Sequence, residues 1–274
     1  MMTTIAISPE LQVVKHHLKQ VWETGDFHRL ARYMEHDIRD FYDRLNVPPG
    51  CQLLDVACGS GELTLLAARD GARATGVDIA TYLVQKARAR AKALGLNARF
   101  EEADAESLPF PDASFDIVVS LIGAMFAARP EAVASELLRV CCPGGIIAMA
   151  NWTAQGFVGQ MFKAVSKYIA PSGIPSPVLW GDEATVRTRL GRGVSDLTLT
   201  RRHYTFDFPF PPSDVVDFFQ LYYGPINRAF AALPEDGRKM LHSELEELWS
   251  AHNHASDGLT VVRAEYLEVI ATRA

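Results

Sequence analysis

The chain has 274 residues, 27 Lys+Arg against 33 Asp+Glu, a formal charge of −6 and 48% hydrophobic residues. That is the balance of a globular protein long enough to bury a sizeable core, and an acidic chain without a long Lys/Arg block is not built to bind nucleic acid. No apolar run is long enough for a membrane span, and the N-terminus lacks the basic start and apolar stretch of a signal peptide, so a cytoplasmic location is expected.

Residues 1–50 read as a helical segment that serves as a lid. Apolar positions recur at Leu11, Val14, Leu18 and Val21, then at Leu30, Tyr33, Met34, Ile38, Phe41 and Leu45. Gly25-Asp26 interrupts the pattern, and Pro48-Pro49-Gly50 ends it. From residue 52 short apolar runs alternate with helical patterns: strands at 52–56, 73–77, 98–102, 115–120 and 145–150, helices at 62–70, 81–94 and 131–140. This rhythm predicts right-handed crossovers and a Rossmann-like α/β fold with a doubly covered, mainly parallel sheet.

Beyond residue 150 the rhythm breaks. A helix at about 157–169 leads into the Pro-rich PSGIPSP, and DEATVRTRL reads as another helix. Two long strand-like runs, 195–208 and 259–273, enclose an aromatic-rich helical stretch. They are expected to pair antiparallel and complete a seven-stranded sheet whose last strand is antiparallel. The helices at about 209–256 would cap the strand ends, with residues 51–155 as the ligand-binding core and the whole chain as one structural domain. Cys51, Cys58, Cys141 and Cys142 lie in or beside predicted strands without a C-x-x-C pair. They read as reduced structural thiols, not a disulfide framework or zinc site.

The chemistry concentrates in LLDVACGSGELTLLA, residues 53–67. A strand ends at Asp55-Val56, Gly59 and Gly61 make a turn open to close backbone approach, and a helix begins at Glu62. The next strand ends in Asp78, and the one after leads to Asp104. Three successive strand ends with an acid line one crevice at the switch point of the sheet. The third small residue of the dinucleotide fingerprint is missing, since Thr64 stands there. Asp55 and Glu62 are also poor company for a pyrophosphate but suit an adenosine ligand with a cationic tail. The electrostatics therefore favour S-adenosylmethionine over a nicotinamide dinucleotide.

DVACGSG (55–61), Asp78, Asp104-Ala105 with LPFPDASFDIVVS, and LLRVCCPGG (137–145) together resemble the ordered motifs of class I S-adenosylmethionine-dependent methyltransferases. The group most resembled is the ubiquinone/menaquinone-biosynthesis-type small-molecule enzymes. The resemblance covers about residues 25–155; Cys141-Cys142 departs from the usual Leu plus a basic or polar residue. It implies that Gly59, Gly61 and the Ala57 backbone cradle the amino-acid part of the cofactor, with Asp55 behind them. Asp78 would hold the ribose hydroxyls, Ile79 the adenine face, Asp104 and Ala105 the adenine edge, and Ser120 and Leu121 the methionine portion.

The loop after Ser120 reads Leu-Ile-Gly-Ala-Met-Phe, without Asp, Asn or His. That speaks against a metal-assisted catechol-type site and against the loops of nucleic-acid amino methyltransferases. Candidates for the acceptor pocket are Tyr33, Met125, Phe126, Trp152, Tyr222 and Tyr223. The scattered histidines make no metal site, and no general base is named. The expectation is a metal-independent methyltransferase acting on a small, apolar or aromatic acceptor and releasing S-adenosylhomocysteine, as monomer or homodimer. The alternatives are a protein that binds S-adenosylmethionine without transferring methyl and, more remotely, a nicotinamide oxidoreductase.

Overall fold

A computed structural model describes residues 8–169 and 173–274. Three helices precede the sheet: α1 (Pro9–Glu23), α2 (Phe27–Ala31) and α3 (Glu35–Arg44). α1 starts where the Ser8 hydroxyl accepts from the Leu11 N–H and Pro9 has no N–H to satisfy. The break at Gly25-Asp26 is present, and there is a second one at Arg32–Met34 that the pattern does not announce. There the turn tightens, with Tyr33 and Met34 N–H groups donating three residues back. Leu30, Met34, Ile38 and Phe41 stay buried through it, so the apolar stripe conceals the break.

The alternation then folds as β1 (Gln52–Val56), α4 (Glu62–Arg69), β2 (Arg73–Asp78), α5 (Thr81–Leu94), β3 (Arg99–Glu102) and β4 (Phe115–Leu121). α6 (Pro130–Val140) and β5 (Cys141–Trp152) follow, then α7 (Phe157–Val165), α8 (Glu183–Leu190) and β6 (Val194–Phe208). The chain ends with α9 (Pro212–Tyr222), α10 (Gly224–Ala231), α11 (Glu235–His252) and β7 (Thr260–Arg273). The seven strands lie in the order β3-β2-β1-β4-β5-β7-β6. All are parallel except β7, which is antiparallel to both neighbours and sits inside the sheet, leaving β6 at the edge.

β5 begins earlier than the pattern implied. Its pairing with β4 jumps from Phe115↔Cys141 to Ile117↔Ile146, so Cys142–Gly145 loop out of the ladder and the Pro-Gly-Gly is absorbed as an irregularity. α7 ends at Val165, short of the expected boundary near residue 169. Leu53, Leu54, Val56, Val118, Val119 and Ile147 are sealed from solvent, as a sheet covered on both faces requires. On the long β6–β7 ribbon, Tyr204, Phe206 and Phe208 alternate onto one face. Phe206 meets Phe219 of α9 and Trp249 of α11 at centroid distances of 6.2 and 5.8 Å. All four cysteines are free, with Cys58 and Cys141 buried. Among the described residues no helix is long and apolar enough to cross a membrane.

Candidate active site

β1 lies between β2 and β4, so crossovers leave it in opposite directions and open a crevice at its carboxyl end. A cavity occupies that crevice, with an empty volume of about 1390 Å³ counted out through its mouth. One half is walled by the ends of β1, β2 and β4 and the loop after β3. The other half is walled by α1–α3, α7, β6 and α9.

The first half is polar and tightly wired. Asp55, near the end of β1, is buried and accepts from the Thr64 hydroxyl at 2.7 Å. Burial pushes its carboxyl up to about 7 against the pull of that bond, and the charges of Glu62 and Asp78 push it the same way. No described cation pairs with it. Asp78, closing β2, accepts from the Gly59 N–H at 2.9 Å and the Ala80 N–H at 2.8 Å, which ties the glycine turn to the neighbouring strand. Burial raises its pKa too, with the backbone donors opposing.

Asp104 accepts from the Glu106 N–H at 2.9 Å and pairs with Lys15 of α1. Lys15 also reaches Glu106 at 2.6 Å, and Arg129 holds the same carboxylate at 2.7 Å. Burial alone would raise Glu106, but the Lys15 and Arg129 bonds win and keep it below the usual carboxylate range. Glu62 behaves likewise. Burial works against it, yet His28, Arg90 and Ser60 hold its carboxylate low. The floor carries strain, since Ala57 (φ 59°) and Ile122 (φ 57°) are left-handed non-glycine residues, and both line the cavity.

The second half has no charged side chain. Leu30, Met34, Phe126, Trp152, Val158, Met161, Tyr204, Phe206, Phe219 and Tyr223 line it, with Trp22 and Phe27, whose ring lies against Gly59, at the junction. Trp22 meets Phe126, Phe27 and Tyr223 at 5.0, 6.0 and 6.0 Å. Trp152 packs on Tyr204 and Phe206 at 5.8 and 5.9 Å.

The family described as "Methyltransferase domain" matches residues 54–149. An uncharacterised protein of Mycobacterium tuberculosis is 35% identical over 258 residues, which cover 93% of this chain and 93% of that one. A demethylmenaquinone methyltransferase of Thermus thermophilus is 36% identical over 124 residues, covering 44% of this chain and 56% of its own. The YcgJ protein of Bacillus subtilis shares the fold, with a TM-score of 0.58 at 20% identity over 87% of this chain and 98% of that one. The chain belongs to the class I S-adenosylmethionine-dependent methyltransferases. Its cofactor is S-adenosyl-L-methionine.

The residues of this methyltransferase suit that cofactor. A buried carboxyl at position 55 that faces no described cation is matched by a ligand bringing an ammonium and a sulfonium. Glu62 contributes less to the choice than its sequence position implied, because Arg90 and His28 already compensate it. Of the residues expected at the cofactor, Asp55, Ala57, Gly59, Asp78, Ile79, Asp104, Ala105 and Leu121 line the cavity. Gly61 and Ser120 do not. Gly61 is the left-handed N-cap of α4 (φ 84°), and a Cβ there would lie 2.8 Å from the Phe100 ring, so it serves the packing of α4. Ser120 is buried, donating to the Val56 carbonyl at 2.8 Å and accepting from the Ala124 N–H at 2.9 Å. Its hydroxyl is spent on holding β4 to β1.

Of the acceptor-pocket candidates, Phe126, Trp152 and Tyr223 line the cavity; Tyr33, Met125 and Tyr222 do not. Tyr33 packs outside it on Phe208 and Phe218. Met125 is fully buried in the core, and the Tyr222 hydroxyl accepts from Arg29 at 3.2 Å. Lys15, Trp22 and the β6 aromatics were missed. Their signals exist: Lys15, Leu18 and Trp22 fall on one helical face, and HYTFDF alternates aromatic residues along β6. No described group of His, Cys, Asp and Glu could hold a metal ion.

Proposed function

We infer that this methyltransferase methylates a small apolar or aromatic acceptor by in-line displacement, without a metal. One observation carries the reading: the acidic, backbone-rich half of the cavity opens directly into an uncharged aromatic half. When bound, the sulfonium supplies an electrophilic methyl group whose C–S electron pair stays on sulfur as the methyl passes to the nucleophile. The chain's own part is positioning, which can supply much of the rate for such a reaction.

Asp78 would hold the ribose hydroxyls, Asp104 and Ala105 the adenine edge, Ile79 the adenine face, and Asp55 with the backbone of Ala57 and Gly59 the amino-acid end. Leu121 and Phe126 stand between this cradle and the acceptor half. α1–α3, within residues 1–50, act as a lid, and α9–α11, within about 209–256, as a substrate cap. Lys15 is the lid's latch on the adenine rim, since it bridges Asp104 and Glu106. One chain carries a complete cavity, which serves a monomer or a homodimer equally, and unpaired thiols fit a reducing cytoplasm. The Thermus relative's name gives demethylmenaquinone as that protein's acceptor, in keeping with an apolar chamber.

The test is methyl transfer from methyl-labelled cofactor to a panel of neutral aromatic alcohols and of aliphatic amines, with and without a chelator. Label in the neutral acceptors, unchanged by the chelator, is the expected result. Tight cofactor binding with no transfer to any acceptor would favour the alternative of a binding protein.

A further inference from the structure

We propose that the Tyr223 hydroxyl anchors the acceptor, and that the acceptor is therefore a neutral molecule presenting a hydroxyl or carbonyl oxygen on an apolar body. This rests on the methyltransferase reading and narrows the substrate class of the same site.

Two tyrosines line the acceptor half. The Tyr204 hydroxyl donates to the Met34 carbonyl at 2.6 Å and is satisfied. Tyr223 is also buried, 5% exposed, yet among the described residues its hydroxyl makes no hydrogen bond. The hydroxyl is not one of the sealed, unpartnered polar atoms of the described fold, so it keeps accessible surface, and Tyr223 lines the cavity. The cavity side is where a partner can come from.

The position of Tyr223 is built with care. It joins α9 to α10, and that junction sits directly on the end of α1. A Cβ at Gly224 would fall 2.0 Å from the Val21 carbonyl oxygen, and one at Gly25 (φ 83°) would fall 2.6 Å from the Tyr222 carbonyl oxygen. The Asp26 N–H donates to that same Tyr222 carbonyl at 3.2 Å. The Tyr223 ring is held at 6.0 Å from Trp22 and 5.6 Å from Phe219. Aromatic rings grip its body and leave the hydroxyl as the polar feature offered to a ligand.

The surroundings decide the charge of that ligand. Every charged side chain lining the cavity belongs to the cofactor half: Lys15, Asp55, Glu62, Asp78, Asp104 and Glu106. An ammonium or carboxylate placed beside Tyr223 would lose its hydration without a counter-ion. Burial alone drives the phenol's pKa well up, so Tyr223 stays neutral and can both donate and accept.

The experiment measures binding of 2-naphthol, naphthalene and 2-(aminomethyl)naphthalene to protein saturated with S-adenosylhomocysteine. The proteins compared are wild type, Tyr223→Phe and, as a control outside the cavity, Tyr222→Phe. Wild type should bind 2-naphthol about tenfold more tightly than naphthalene, the worth of one neutral hydrogen bond. Tyr223→Phe should erase that difference by weakening 2-naphthol alone, while keeping wild-type affinity for S-adenosylhomocysteine, which shows that it is folded. Tyr222→Phe should change nothing. Equal loss for 2-naphthol and naphthalene, no loss for either, preference for the amine, or no naphthyl binding at all would overturn the proposal. Failure of wild type to bind S-adenosylhomocysteine would instead sink the methyltransferase reading and this inference with it.

Discussion

The two halves of the cavity are built by different means. The cofactor half is made by residues close in sequence, at the ends of consecutive parallel strands, and its side chains are charged and cross-linked by hydrogen bonds to backbone. The acceptor half is assembled from Trp22, Phe126, Trp152, Phe206 and Tyr223, which lie far apart in the chain and touch by aromatic edges. Directional bonds hold a constant ligand in one pose; an apolar, edge-packed chamber selects by shape and tolerates variation. One half is suited to a cofactor of fixed structure, the other, on the proposed reading, to an apolar acceptor.

The sharpest way to break this contrast is at the floor shared by both halves. Gly123→Ala would place a Cβ 2.6 Å from the Cβ and carbonyl oxygen of Ala57. Overpacking of this kind costs about 1–3 kcal/mol. Both thermal stability and S-adenosylhomocysteine affinity should fall, the latter by roughly tenfold or more because Ala57 must move. Unchanged affinity would show that the floor does not carry the cofactor.

The cofactor half also makes a pH prediction. With Asp55 raised to about 7 in the ligand-free fold, seating the ligand's ammonium against it must first remove the carboxyl proton. S-adenosylhomocysteine affinity should fall by roughly tenfold for each unit of pH below that value and level off above it. The ligand-free protein should show the opposite trend in this contribution. A group whose folded pKa lies above its unfolded value loses stability as pH rises between the two, here from the ordinary aspartate range toward 7. Titrations at pH 5.5 to 8.5 on wild type and Asp55→Asn check both, and an unsloped wild-type curve would contradict the assignment.

The chamber's two tyrosines give a smaller, paired effect. Tyr204→Phe removes one of the two hydrogen bonds to the Met34 carbonyl, which keeps the Ile38 N–H, and should cost about 1 kcal/mol, a drop in Tm of a few degrees. Tyr223→Phe should leave Tm near that of wild type, because nothing in the described fold uses its hydroxyl. Smallest of all, Lys15→Gln removes the ion pairs of α1 with Asp104 and Glu106. S-adenosylhomocysteine affinity should shift only a few-fold, since Asp104 is partly exposed and the buried Glu106 keeps its bond to Arg129, but its dependence on salt should flatten.

The sheet and the cofactor half were legible because their signals are local. Strand, glycine turn, helix and acid recur at short spacing, and the alternation predicts a parallel sheet without knowing any long-range contact. Gly61 and Ser120 fall behind the cavity because a motif marks which residues matter, not which way each faces; both serve the packing there. The acceptor half was only half legible. Trp152 could be placed because it ends a strand on the crevice side, whereas Tyr33 and Tyr222 look equally aromatic in sequence and face other neighbours. Lys15 escaped notice because its partners, Asp104 and Glu106, lie far along the chain, a pairing that only the docking of α1 creates.

The most direct measurement is calorimetric titration of S-adenosylhomocysteine and, separately, NADH into wild type and Asp78→Ala. S-adenosylhomocysteine should bind wild type and NADH should not. Asp78→Ala should weaken the former by on the order of a hundredfold, the loss of two charge-assisted hydrogen bonds of about 1.5 kcal/mol each. Binding of NADH, or S-adenosylhomocysteine binding indifferent to Asp78, would contradict the account.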